Sequence, residues 1–149
     1  MKEAQLENDL GIDFPTEWWQ ILDRELTSKF GDVKIDFRIT DNSFLAKIGS
    51  RWPFTAWAVT TGDTVHITSR FGWGEDWRNE EDVFKRARIF GVIAHEAYHV
   101  NDQYHTGLWV WMKRYFKVRH KYTAKTHPME KPAYSFGYKV RDKVYLKEI

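Results

Sequence analysis

The sequence contains no cysteine, which limits how a chain of 149 residues can be held together. Without thiols there is no disulfide and no zinc site built on thiolates, so any metal has to be bound by imidazole and carboxylate groups. This favours a catalytic metal ion over a structural one, because structural zinc sites depend mainly on cysteine.

Long apolar segments are also missing. No window of about 18 apolar residues occurs, and the first ten residues, MKEAQLENDL, lack the apolar core of a signal peptide. We therefore expect no membrane span and a cytoplasmic location. With 42% hydrophobic and 17% aromatic residues, the chain is expected to form one compact domain over residues 1–149.

Acidic residues are scarce in the last third of the chain. Residues 111–149 hold 11 Lys and Arg against 3 Asp and Glu, whereas residues 1–110 hold 12 against 18. The formal charge of +2 therefore combines +8 in the last third with −6 in the rest. Such a split fits docking onto a polyanion (nucleic acid, cell-wall polymer or lipid head groups) or attraction between two surfaces of one domain.

The segment RIFGVIAHEAYHVND, residues 88–102, contains the spacing H-E-x-x-H at His95, Glu96 and His99. Residues four apart lie on one face of a helix, so both imidazoles can bind one metal ion while the Glu96 carboxylate projects beside them. The apolar residues before His95 indicate a buried helix that holds its ligands rigidly. The motif predicts a hydrolytic site with one Zn²⁺ per chain and Glu96 as general base.

Periodicity predicts a small sheet followed by helices. Period-two alternation predicts a strand at Val33–Ile39, and Ser43–Ile48 is a further candidate. Phe54–Thr60 and Thr64–Ser69 flank a Gly-containing connection of hairpin length, so three or four strands are predicted in all. Helices are predicted at Asp13–Phe30, from Asn79 to Asp102 or Tyr104, at Leu108–Tyr122, and in a last segment that opens within Thr126–Tyr134 and places Glu130 in its first turn. Thr16 and Asn79 are the expected caps of the first two helices. The fold class predicted is α+β.

A catalytic zinc site needs a third protein ligand and leaves a fourth position for water. His105 lies six residues after His99, which is the offset in the metzincin signature H-E-x-x-H-x-x-G-x-x-H. That signature needs glycine where this chain has Asp102, and aspartate adopts the left-handed conformation only at a cost. Glu130, 31 residues after His99, is the other candidate.

Two segments, HEAYHVNDQYHTGLWVWMKRYF and HPMEKPAY, resemble small bacterial and phage gluzincin-like zincins. In those proteins H-E-x-x-H-V, a nearby Gln, a Gly and an aromatic helix precede a P-x-E-x-x-A-Y segment. The resemblance covers residues 92 to about 136 and not the N-terminal half. It implies that His95, His99 and Glu130 bind zinc and that Glu96 is the catalytic carboxylate.

The resemblance further implies a minimal zincin, in which a small twisted sheet and C-terminal helices pack on a buried active-site helix. The implied activity is hydrolysis of a peptide bond in a protein or peptidoglycan substrate by a zinc-dependent metallopeptidase. In zincins an edge strand pairs with extended peptide, and Thr64–Ser69 is the candidate here. A monomer, association with phage and no nucleic-acid partner are also expected, the last because no nucleic-acid-binding motif is present.

Two residues near Glu130 are candidates to stabilise the oxyanion of the reaction. His127 and Tyr134 flank Glu130 at three and four residues, which places them on its face if one helix covers all three. The large gluzincins place an aspartate at the position of Tyr134 to brace the first histidine. Here Asp102, on the helical face of the two histidines, is the candidate brace.

Two alternatives remain open from the sequence. The chain could be a catalytically inactive zincin scaffold that serves as a binding module, although such a scaffold need not keep the base, Glu96. It could also be a metzincin-like peptidase that uses His105 as the third ligand.

Overall fold

The computed structural model describes residues 13–33, 37–48, 57–69, 71, 79–123 and 125–149. Over these residues the chain has an α+β fold, as predicted, with five α-helices and three β-strands. In chain order they are α1 (Thr16–Phe30), β1 (Arg38–Thr40), α2 (Phe44–Ile48), β2 (Ala58–Thr61), β3 (Thr64–Ile67), α3 (Val83–Thr106), α4 (Leu108–Val118) and α5 (Lys131–Glu148). No helix within these ranges is long and apolar enough to cross a membrane.

The three strands form a mixed sheet in the order β1-β3-β2. β1 is parallel to β3, and β2 is antiparallel to β3 through a turn in which Gly62 has a φ of 60°. The prediction that Thr64–Ser69 forms an edge strand is therefore wrong, because β3 is the central strand. Among the strands that the structure describes, β1 and β2 form the edges.

The predicted strand at Ser43–Ile48 is also wrong, because Phe44–Ile48 forms the short helix α2. The Ser43 hydroxyl accepts a hydrogen bond of 3.0 Å from the backbone N–H of Ala46, which is an N-cap interaction. A short apolar segment of six residues does not by itself distinguish a strand from one helical turn, and here the N-cap hydrogen bond favours the helix. Of the other two predicted strands, residues 34–36 and 54–56 lie outside the described part.

The predicted first helix is confirmed as α1, but Thr16 does not cap it. The N-cap position is Pro15, which makes no side-chain cap hydrogen bond. The apolar face is buried as expected. Its members are Trp18, Trp19, Ile21, Leu22 and Leu26.

α3 begins three residues later than predicted. Its N-cap is Asp82 rather than Asn79, and the Asp82 side chain accepts a hydrogen bond of 3.0 Å from the backbone N–H of Lys85. The helix ends at Thr106, and Gly107 follows it with a φ of 93°, as expected for a residue that ends a helix.

α3 is the buried helix on which the others pack. It contacts α5 along its length and also contacts α1, α4 and the sheet. Where α3 crosses α5, a Cβ added to Gly137 would lie 2.7 Å from the carbonyl oxygen of Gly91 and 3.2 Å from Cβ of His95. A side chain at position 137 would thus push the two helices apart.

The outer side of α5 is joined to α1 by charged groups. The Glu25 carboxylate pairs with Lys143 and, at 3.1 Å, with Lys139. At the end of α5 the indole N–H of Trp18 donates a hydrogen bond of 2.9 Å to Glu148. These contacts fix the position of α5, and with it the residue that precedes it, Glu130.

Candidate metal centre

Two turns of α3 present His95 and His99 on the same side of the helix. Their side chains are buried, and their Nε2 atoms lie 3.1 Å apart. Both imidazoles thus direct the same nitrogen towards one point, which agrees with the four-residue spacing of the motif.

Glu130 faces the two histidines from the start of α5. The prediction that it lies in a first helical turn is wrong: the helix starts at Lys131, and Glu130 is the N-cap residue. Its side chain makes no capping hydrogen bond, so the carboxylate is directed at the histidines instead of at its own backbone. Pro132 lies in the first turn, where no intrahelical donor is required.

The turn before α5 is held in place by His127. Its Nδ1 accepts a hydrogen bond of 3.0 Å from the backbone N–H of Met129, and its Nε2 donates one of 2.9 Å to the carbonyl oxygen of Tyr115. Its ring also stacks on that of Tyr115, with 4.1 Å between centroids. Since both ring nitrogens are engaged, His127 is a structural residue rather than the oxyanion donor predicted from its position.

His95, His99 and Glu130 form a buried group that could hold a metal ion. Their ligand atoms all lie within 4.8 Å of one another. Nε2 of His95 is 3.7 Å from Oε2 of Glu130, and Nε2 of His99 is in direct contact with Oε1. Two imidazole nitrogens and one carboxylate oxygen are donors that a divalent metal ion accepts.

Charge is balanced within the group. Burial acts to raise the pKa of Glu130, but hydrogen bonds with His95 and His99 hold it well below the ordinary range. Burial acts to lower the pKa of His99, but the hydrogen bond and charge of Glu130, together with the charges of Glu96 and Asp102, raise it above its ordinary value. The buried carboxylate is therefore stabilised as an anion and requires a proton or a cation beside it.

His105 lies away from this group. Its ring stacks on Phe30, with 5.6 Å between centroids, and its Nε2 bonds to the carbonyl oxygen of Asp32. His105 is exposed at the end of α3, whereas Glu130 contacts both motif histidines. Of the two candidate third ligands, the fold therefore brings Glu130 to the histidines.

Glu96 projects beside the ligands and is held by the sheet. The hydroxyl of Thr60 on β2 donates a hydrogen bond of 2.6 Å to Oε2 of Glu96. The other oxygen, Oε1, lies 4.0 Å from Nε2 of His95. One oxygen of the carboxylate thus accepts a hydrogen bond from the sheet, while the second is directed towards the candidate metal ligands.

The strand that carries Thr60 is clamped to α3 by Gln103. The amide nitrogen of Gln103 donates a hydrogen bond of 3.0 Å to the carbonyl oxygen of Thr60, and its oxygen accepts one of 2.6 Å from the backbone N–H of Gly62. Gln103 is 2% exposed, so this clamp is shielded from water. Sequence reasoning missed Thr60 altogether, because neither its residue type nor its spacing marks a contact with the H-E-x-x-H helix.

Tyr134 lies beside the site, as its position after Glu130 suggested. Its ring centroid is 4.4 Å from that of His95, at an interplanar angle of 68°. Burial, followed by the negative charges of Glu130 and Glu96, raises the pKa of the Tyr134 phenol to about 12. The phenol is therefore protonated at neutral pH and remains the candidate oxyanion donor.

Asp102 does not bond to either histidine. Its carboxylate accepts a hydrogen bond of 2.9 Å from the indole N–H of Trp111, and that indole packs edge-on against the ring of His99, at 5.4 Å. Among the described side chains, Nδ1 of His99 is buried without a hydrogen-bond partner. Asp102 is thus linked to His99 by contacts through Trp111, and not by the direct hydrogen bond expected of a brace.

Comparisons with protein-family models, with curated proteins and with solved structures found no match for this chain. Any functional assignment therefore depends on the geometry of the site and on the sequence motif.

Proposed function

We propose that the chain is a zinc-dependent metallopeptidase with a zincin-like site. The observation that carries the proposal is the convergence of three buried ligand atoms, from His95, His99 and Glu130, next to a carboxylate fixed by its own hydrogen bond. Two imidazoles and one carboxylate form the ligand set of catalytic zinc sites that keep one position for water.

Zinc bound there would lower the pKa of a coordinated water towards about 7 and polarise a carbonyl group. Glu96 would accept the proton of the attacking water on Oε1, because Thr60 occupies Oε2. The same carboxylate would then pass the proton to the leaving amine. Tyr134 would donate a hydrogen bond from its protonated phenol to the oxygen that becomes negative.

Strand β2 is the element that we propose for substrate binding. It lies at an edge of the described sheet, and Thr60 on this strand contacts Glu96. An extended peptide that pairs with the part of the β2 edge not occupied by the Gln103 side chain would pass close to the general base, since main-chain pairing aligns a peptide along a sheet edge. The proposed substrate class is a peptide, either in a protein or in a peptidoglycan cross-link.

The test is cleavage of a mixed library of peptides and muropeptides by the zinc-loaded chain, by chelated protein and by chelated protein resupplied with zinc. We expect cleavage by the zinc-loaded chain, loss with chelator and recovery with zinc. A chain that holds its zinc and cleaves no peptide bond in the library would contradict the peptidase assignment.

A further inference from the structure

Helix α4 has one face in the metal centre and another in solvent. On the inner face Trp111 is 7% exposed and contacts Asp102 and His99. On the outer face Trp109 is 78% exposed, Phe116 49% and Val110 47%. Three apolar side chains on one short helix, including a largely exposed tryptophan, are thus accessible to solvent.

Cations lie between these apolar side chains. Lys113 and Lys117 are both exposed. With about 100° of rotation per residue, these two lysines and the three exposed apolar residues fall within about 120° of the helix circumference. The outer face therefore combines aromatic and aliphatic groups with positive charge.

Acidic residues are absent from the sequence around these lysines. From residue 103 to residue 129 the sequence contains six Lys and Arg and neither Asp nor Glu. The partner of this face must hence be anionic and must also accept apolar side chains.

We propose that the outer face of α4 docks onto the surface of an anionic lipid bilayer. An interfacial helix places tryptophan and aliphatic groups at the acyl boundary and lysines among the phosphates, which matches the arrangement on α4. A soluble polyanion would satisfy Lys113 and Lys117 but would leave Val110 and Phe116 in water. A second copy of the chain would have to offer a different patch, and such a head-to-tail contact does not close into a dimer unless the rotation allows it.

Docking in this way would hold the metal centre next to the bilayer, because Trp111 joins the opposite face of the same helix to His99. The proposal concerns location and does not depend on the proposed peptidase activity.

The experiment is flotation of the full chain with vesicles of phosphatidylcholine alone or mixed with phosphatidylglycerol, at low and high salt. We expect binding to the anionic vesicles only, and weaker binding at high salt. Trp109→Ser and the pair Lys113→Glu with Lys117→Glu should each lower the binding constant by about tenfold or more.

A matched control is Phe44→Ser with Lys47→Glu on α2, since Phe44 is 75% exposed and Lys47 is also exposed. This control should bind as the wild type does.

Three results would overturn the proposal. The first is that the chain does not bind to anionic vesicles, or that the α4 and α2 variants change this binding equally. The second is binding to heparin or DNA, but not to vesicles, which would assign the face to a soluble polyanion. The third is self-association, measured by light scattering, that Trp109→Ser abolishes without any binding to vesicles. Because Trp109 is on the surface, an unchanged thermal midpoint will show that the variant is folded.

Discussion

The hydroxyl of Thr60 and the carboxylate of Glu96 are joined by a hydrogen bond of 2.6 Å between residues 36 positions apart in the chain. The bond connects the edge strand β2 to the motif helix α3 and fixes Oε2. It leaves Oε1 as the oxygen that faces the candidate metal ligands, which are held separately on α3 and at the start of α5.

The first prediction concerns this bond. Thr60→Val keeps the shape and the β-branching but removes the donor, so Glu96 is free to rotate away from the attacking water. We expect kcat/KM to fall by about 10- to 100-fold, as is typical when a group that orients a metal-site residue is lost. Thr60→Ser keeps the hydroxyl and should retain most of the activity. Equal losses in both variants would show that packing, and not the hydrogen bond, matters at position 60.

The second prediction concerns the ligands. Wild-type protein, purified without nickel resin, should contain about one zinc per chain. His95→Ala and Glu130→Ala should lose most of it, because each removes one of three converging ligands. His105→Ala is the matched control and should keep its zinc, since the His105 ring is engaged with Phe30 and Asp32. The zinc content of each variant is measured by metal analysis. Loss of zinc in His105→Ala but not in Glu130→Ala would contradict the assignment of Glu130 as the third ligand.

The third prediction concerns the crossing of α3 and α5. Gly137→Ala places a methyl group 2.7 Å from the Gly91 carbonyl and 3.2 Å from Cβ of His95. Overpacking of this kind typically destabilises by about 1–3 kcal/mol, which should exceed the gain of about 1 kcal/mol in helix propensity. Zinc affinity should fall as well, because the shift separates His95 from Glu130.

The control is Ser135→Ala, an exposed position on α5, which should change neither quantity much. Denaturant unfolding measures the free energy of unfolding, and a zinc titration measures the zinc affinity. A stabilised Gly137→Ala with unchanged affinity would show that the crossing tolerates a side chain.

The fourth prediction is a pH dependence at the contact between α1 and α5. Burial acts to raise the pKa of Glu25, but hydrogen bonds and charges from Lys143 and Lys139 lower it below its ordinary value of 4.5. A lowered folded-state pKa means that the ion pairs stabilise the fold above pH 4.5, and that this contribution is lost as the pH falls through the folded-state value.

Both lysines are about half exposed, so screening limits the contribution to about 1 kcal/mol or less at neutral pH. The free energy of unfolding is measured for Glu25→Gln and for the wild type, both treated with chelator. At pH 7 the value for Glu25→Gln should be lower by this amount. The deficit should vanish in acid. A difference that stays constant with pH would mean that the charge of Glu25 is not involved.

The sequence predicted the parts of the site that are local in the chain. His95 and His99 meet because a helix brings residues four apart together, and the apolar run before them predicted its burial. The α+β class followed from alternation and helical periodicity in the same way.

The parts that depend on distant contacts were not predictable to the same degree. Glu130 and His105 were both possible third ligands until the crossing at Gly137 placed the start of α5 against His99. Thr60 has no signal in the sequence, since its role depends on which way β2 faces. The central position of β3 was missed because the parallel pairing with β1 is a long-range choice that alternation does not specify.

The most direct test of the account is a comparison of wild type and Glu96→Gln, both loaded with zinc, on a peptide or muropeptide that the wild type cleaves. Glu96 is not a proposed ligand, so the variant should fold normally and bind about one zinc per chain. Without the base, kcat/KM should fall by about 10² to 10⁴. Cleavage by Glu96→Gln at the wild-type rate, with zinc bound in both proteins, would contradict the proposed mechanism and leave the metal as a clamp between α3 and α5.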